Sequence, residues 1–250
     1  MKTTGQALDN STTYIDLPDR TDREAGIADA IAVLFGKWGA EIERRLTYDD
    51  KTNDDFPLTF WQDMQIELAA ELSPHLESTY LAGVVAVGMF ATDEGRIQRE
   101  AKEWAKDRAD QLASAFVNRS IEEWKRFESQ LSMVDQNGLV VVAGIGAAAV
   151  AGLASSRLFT ESRATSIAIT ETTAAFSRGE LDTLRRVQDN RRIIGELDTA
   201  IAVTWYAKDD DRVCPTCSGL HGKPIEEWEV DFPDGPPAHV NCRCVLRWDL

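Results

Sequence analysis

Residues 199–250, TAIAVTWYAKDDDRVCPTCSGLHGKPIEEWEVDFPDGPPAHVNCRCVLRWDL, hold all four cysteines and two of the three histidines of a 250-residue chain. The first twelve, TAIAVTWYAKDD, carry the β-branched and aromatic bias of a strand that runs into an acidic turn. Upstream, to about Leu197, the pattern is helical. The fold class expected from this contrast is α+β, a mostly helical body followed by a small C-terminal β-rich module that bears the cysteines.

Within that module Cys214 and Cys217 form C-x2-C, a spacing at which a tight turn aims two thiolates at one point. After twenty-one intervening residues come His239, Cys242 and Cys244, as H-x2-C-x-C. Zinc takes four tetrahedral nitrogen and sulfur ligands, so five residues compete for four places. If CRCVLRW is a strand, Cys242 and Cys244 face the same side. Either then completes the site with His239, or both ligate and leave the histidine beside it. The reading is a structural zinc ion, Zn(2+), closing a knuckle that staples a β-hairpin too small to stand on its own core. A redox C-x-x-C is disfavoured, because no strand-helix-strand context surrounds the pair. A catalytic zinc needs an open coordination position and a base, and nothing in the sequence places Asp211, Glu226 or Glu227 for that role. His221, flanked by Gly219 and Gly222, reads as a turn residue, and His75, beside Pro74, as a structural or surface one.

Working back from the module, residues 158–187 read as one long helix, with Thr160 as N-cap, Arg163 opening the body, and Gly179 permitting a break or close packing. Gly138–Ser156, GLVVVAGIGAAAVAGLASS, is the least polar run. It approaches the roughly 18 to 20 residues of a membrane span. Its four glycines, its alanines and the lack of basic residues on its N-terminal side favour a small-residue helix packed in a helical body or an oligomer, and no membrane is expected. GIGAAA lacks the strand and crossover of a dinucleotide site. Residues 94–131 are charged and helical, with a possible break at Asn118–Ser120, and Asp135–Gly138 mark a turn. Thr59–Thr92 is expected as two helices or one kinked helix divided at Ser73 and Pro74. Arg23–Leu46 repeats Ile27, Ile31, Leu34, Phe35, Trp38 and Ile42 at helical spacing.

A hydrophobic content of 43% suffices for a core, and a net charge of -15 argues against wrapping nucleic acid on a basic face. Eight lysines against nineteen arginines suit a salt-rich host as well as an ordinary acidic protein. The N-terminus lacks the basic head and apolar run of a secretory signal, so a reduced compartment and metal binding are expected over a disulfide framework.

The module's residues resemble the phage Mu F-like head morphogenesis proteins, also called minor head or minor capsid proteins. The family's ending, a tryptophan-bearing strand, D-x-R-V-C-x-x-C-x-x-L-x-G, and then P-P-x-H-x-x-C-R-C-x-L, stands here as Trp205, DDRVCPTCSGLHGK and PPAHVNCRCVL. Its upstream helix, R-A-x-x-I-A-x-T-E-T-x-x-A, stands as RATSIAITETTAA, Arg163–Ala175. The resemblance covers roughly the last ninety residues. It implies a low-copy virion assembly protein of the head or procapsid interior, present in the host cytoplasm during assembly. The implied partners are the portal protein and capsid or scaffold proteins. It also implies structural roles for Arg163, Thr170, Glu171, Thr172, Trp205, Asp211, Arg212, Gly222 and Arg243. The expected organisation is a flexible leader at 1–22, a helical body docking on portal or capsid at 23–157, and a Mu F-like domain at 158–250, with no toxin or nuclease domain attached after Leu250.

Two alternatives stand beside this reading. Arg212, Lys223, Arg243 and Arg247 could form a basic face on packaged viral DNA, opposed by Asp209, Asp210, Asp211, Glu226, Glu227, Glu229, Asp231 and Asp234. An enzyme, either a metal hydrolase or a transferase using Arg163 and Glu171, comes third, because Arg and Glu on an amphipathic helix more commonly cap it or pair.

Overall fold

The computed structural model describes residues 17–48, 58–88, 94–135, 158–195, 200–207 and 213–249. The leader to residue 16, the run 138–156, and Asp211 and Arg212 lie outside the described residues. Four long helices, α1 (Arg20–Tyr48), α2 (Leu58–Ala86), α3 (Glu94–Asp135) and α4 (Glu161–Ile193), precede β1 (Ala202–Tyr206). Two short helices, α5 (Pro215–Leu220) and α6 (Ile225–Trp228), lead to β2 (Val245–Asp249). The fold is thus mostly helical, with one small two-stranded antiparallel sheet at its C-terminal end. Among the described residues no helix is long and apolar enough to cross a membrane.

The chain groups into two compact units, and the larger share of the helices lies in the unit Thr21–Ser78 with Asp93–Ala168. Its core follows from helical periodicity. Ile27, Ile31, Phe35, Trp38 and Ile42 of α1 are buried at steps of three and four, as are Met64, Leu68, Leu72 and Leu76 of α2. α3 contributes a stripe of Ala101, Ala105, Ala109 and Ala113, all fully buried. Phe35 stacks on Phe116 at 5.2 Å, and Phe159 closes on both Phe35 and Trp38 edge-on. The Trp38 indole donates to Glu67 at 2.9 Å, and Lys37 reaches the other oxygen of the same carboxylate at 2.5 Å.

Of the two forms expected for Thr59–Thr92 the single helix is found, and the possible break in α3 is absent. α2 runs unbroken through Pro74. A proline inside a helix costs about 3 kcal/mol, and the fully buried Leu72 and Leu76 on either side supply packing that offsets it. α3 runs unbroken through Asn118–Ser120, where the buried Ser120 hydroxyl donates to the Phe116 carbonyl at 2.8 Å one turn back and so stays satisfied within the helix.

The second unit, Met1–Arg20, Thr79–Thr92 and Ile169–Leu250, contains the end of α2, most of α4 and the whole cysteine-bearing segment. Here α2 and α4 cross backbone to backbone. A Cβ built on Gly83 would stand 2.2 Å from the Phe176 carbonyl oxygen, and one on Gly179 would stand 2.0 Å from the Tyr80 carbonyl oxygen. Close packing, and not a break, is therefore what Gly179 supplies. Beside the crossing, the Tyr80 hydroxyl donates to Asp182 at 2.8 Å, and burial pushes its pKa upward.

β1 and β2 pair with Val203 opposite Trp248 and Trp205 opposite Leu246. They are not a tight hairpin, since α5, α6 and a long loop separate them in sequence. The far edge of β1 is bonded by that intervening chain: Trp205 N–H donates to the Lys223 carbonyl at 2.9 Å, and Gly222 N–H to the Trp205 carbonyl at 2.8 Å. Gly222 has φ 75, a conformation that a Cβ would strain, which accounts for a glycine at this position.

The small sheet does not stand on a core of its own; it shares one with α4. Trp205, Trp228 and Trp248 are almost fully buried, and they cluster with Leu246, Leu181 and Leu184, the last two from α4. Trp205 packs edge-on to Trp228 at 5.5 Å. The sheet is small, but α4 supplies the apolar wall that a free hairpin lacks.

Candidate metal centre

Each sulfur is placed by local backbone. Cys214 caps α5: its extended backbone lets Sγ accept the Cys217 N–H at 3.3 Å, and Pro215 follows at the first helical position, where its missing N–H costs nothing. One turn later Cys217 points to the same side and is buried. His239 and Cys242 sit at the ends of a turn closed by Cys242 N–H to the His239 carbonyl at 3.2 Å, with Asn241 at φ 63 inside it. Cys244 precedes β2, which begins only at Val245, so strand alternation is not what orients Cys242 and Cys244.

The five candidate ligands form two overlapping groups that share Cys217. Cys214, Cys217 and His239 make one, Cys217, Cys242 and Cys244 the other, with ligand atoms inside each group within 4.8 Å of one another. His239 Nε2 lies 3.0 Å from Cys214 Sγ and 3.1 Å from Cys217 Sγ. Cys217 and Cys242 sulfurs are 3.7 Å apart. Tetrahedral Zn–S bonds of about 2.3 Å imply sulfurs roughly 3.8 Å apart. His239 Nδ1 is 2.8 Å from the Val240 carbonyl oxygen, so Nδ1–H donates there and Nε2 presents its lone pair to the sulfurs. Soft thiols with one imidazole, gathered at such distances, could hold a metal ion.

Charge is distributed unevenly over the cluster. Hydrogen bonds from the Cys244 side chain, against the opposing effect of burial, bring the Cys242 pKa down to about 5. The Cys217 thiol is pushed up to about 12, first by burial. Cys244 is raised by its bond to Cys242 and by burial, and Cys214 is lowered chiefly by the Cys217 backbone N–H. The His239 pKa is raised, first by the Val240 carbonyl. The buried indole N–H of Trp205 acts on Cys244 in the opposite direction, favouring its thiolate.

A metal held by Cys217 would have to displace its proton at neutral pH. Apparent affinity is expected to fall about tenfold per pH unit for each proton displaced as pH drops from 7.5 to 5.5. Metal titration in buffers across that range checks this, and a flat profile would contradict it.

Of the other motif residues, Trp205 and Gly222 are placed as described above. Thr170 accepts the Asn241 N–H on its Oγ1 at 3.0 Å, and Glu171 and Thr172 are buried on α4. Arg243 is half-buried beside the ligands. Arg163 belongs to the other unit, where it donates to the Leu158 carbonyl at 3.0 Å and lies 4.2 Å above the Phe116 ring, while its N–H meets the capping Thr160 hydroxyl at 3.3 Å. His221 is confirmed as a turn residue, since its Nδ1 accepts the Ala207 N–H at 3.2 Å. Sequence reasoning missed Thr173, whose hydroxyl donates to the Cys242 carbonyl at 2.8 Å. The available signal was a second threonine one helical turn after Thr170.

Residues 139–247 match the model described as Phage Mu protein F like protein. The chain carries a Phage Mu F-like region. The Mu F-like match spans all five candidate ligands and all of α4. No curated protein and no solved structure matches the chain.

Proposed function

We propose that the chain is a low-copy minor head protein that docks at the portal vertex during procapsid assembly, with a non-catalytic C-terminal module stapled by Zn(2+). The observation that carries this reading is the coincidence of the Mu F-like match with a Cys/His cluster built into that same region. Portal, capsid or scaffold proteins are its partners, the virion head its location, and influence on DNA packaging or ejection its consequence. The ligand set favoured by the short distances is Cys214, Cys217, His239 and Cys242, with Cys244 an outer hydrogen-bond donor to Cys242. Cys244→Ser then keeps the metal and His239→Asn loses it.

The expected result in infected cells is that mass spectrometry finds this chain in purified procapsids or virions. Absence from both would end the reading. Direct DNA contact is the weaker alternative, because Lys223 is engaged with Glu227 at 2.5 Å and Arg247 lies 3.6 Å above the Tyr206 ring. Salt-dependent retention on DNA would favour that alternative.

A further inference from the structure

α4 touches the turn that carries the candidate ligands at two consecutive residues. Thr170 and Thr173, three residues apart, share a helix face. Thr170 Oγ1 accepts the Asn241 N–H at 3.0 Å, and Thr173 Oγ1 donates to the Cys242 carbonyl at 2.8 Å. Between these two bonds lie only the backbone torsions of Asn241 and Cys242. Asn241 sits at φ 63, in the left-handed region that asparagine adopts more readily than other non-glycine residues, and the two bonds flank it.

The direction of the second bond is also determined. Arg20 Nη1 donates to Thr173 Oγ1 at 3.0 Å. A hydroxyl has one proton and two lone pairs, so with a guanidinium on a lone pair the proton remains for the Cys242 carbonyl. Arg20, Thr173 and Cys242 are all buried, where such bonds are strengthened by the low dielectric.

We propose that Thr170 and Thr173, with Arg20 behind Thr173, form a clamp that aims Cys242 Sγ at Cys217 and holds the His239–Cys242 turn in ligating geometry. These are positioning residues, acting on the metal through Cys242. The clamp gives a physical reason for the threonine-rich helix to accompany the cysteine motif in one region, since the helix supplies the outer bonds and the loop supplies the ligands. The proposal rests on the metal-binding reading above.

Cobalt(II) titration of the full chain tests it, because thiolate-to-cobalt absorbance reports the ligands directly. Thr173→Val is expected to lose about 10–100-fold in cobalt affinity and to show an altered charge-transfer band. Thr173→Ser, which keeps the hydroxyl, is expected to restore both. A threonine that merely stabilised the fold would lower the urea midpoint of the metal-free chain and leave affinity and spectrum alone. Thr170→Val, at a less buried position, provides the same readout should Thr173→Val not fold. Wild-type affinity and spectrum in both valine variants would overturn the clamp while leaving the metal site intact. A wild-type chain that takes up no cobalt would overturn the metal reading and the clamp together.

Discussion

Gly179→Ala is expected to lower the stability of the unit that carries the ligands by about 3 kcal/mol, the upper end of the usual cost of overpacking. The added methyl would meet the Tyr80 carbonyl oxygen at 2.0 Å and the Val84 nitrogen at 3.2 Å, both on the backbone of α2. Backbone atoms of a packed helix have no alternative rotamer, so α2 and α4 must separate. Separation would weaken the contacts on either side of the crossing, including the Tyr80–Asp182 bond. Gly83→Ala should cost a similar amount, because its methyl would meet the Phe176 carbonyl oxygen at 2.2 Å. The double variant should cost less than the sum, since both methyls force apart the same contact. Urea unfolding measures all three. Wild-type midpoints would mean that the crossing is looser than described.

The second large effect concerns Cys217, the candidate ligand common to both groups. Cys217→Ser is expected to reduce metal affinity by more than the roughly 10–100-fold that loss of an outer partner costs. Structural zinc contributes apparent binding energies of about 10–16 kcal/mol in small folded modules at neutral pH. Chelation should accordingly loosen the loop that carries His239 and Cys242 and change the fluorescence of Trp205, Trp228 and Trp248, which pack in the same cluster as Cys217 and Cys242. The α4 helix should keep its far-ultraviolet signal. Stoichiometric metal uptake by Cys217→Ser, with unchanged affinity, would remove Cys217 from the ligand set.

How much of this was legible beforehand differs by element. The four long helices follow from apolar residues recurring at three and four positions, and α1, α3 and α4 start within three residues of where the pattern begins. Pro74 left two helices or one open, and the polar stretch at Asn118–Ser120 misled, because propensity weighs single residues, whereas burial of neighbouring turns acts along the whole helix. β1 was legible from its β-branched and aromatic letters. The strandlike reading of CRC was not sustained, because both cysteines precede β2 and Cys242 is held by a turn and by a bond from α4.

By itself the sequence determined the candidate ligand types and their spacing, the helical class of the body, and the resemblance that the family match supports, since all of these are local properties of neighbouring residues. Only the tertiary structure decided that Thr173 meets the carbonyl of Cys242, sixty-nine residues later, and that Gly83 and Gly179 set the closest approach of two helices. It also decided that three tryptophans and α4 give the small sheet a core. Those pairings depend on where distant segments of chain come to lie. Periodicity and spacing are blind to that, because they are written within one segment at a time.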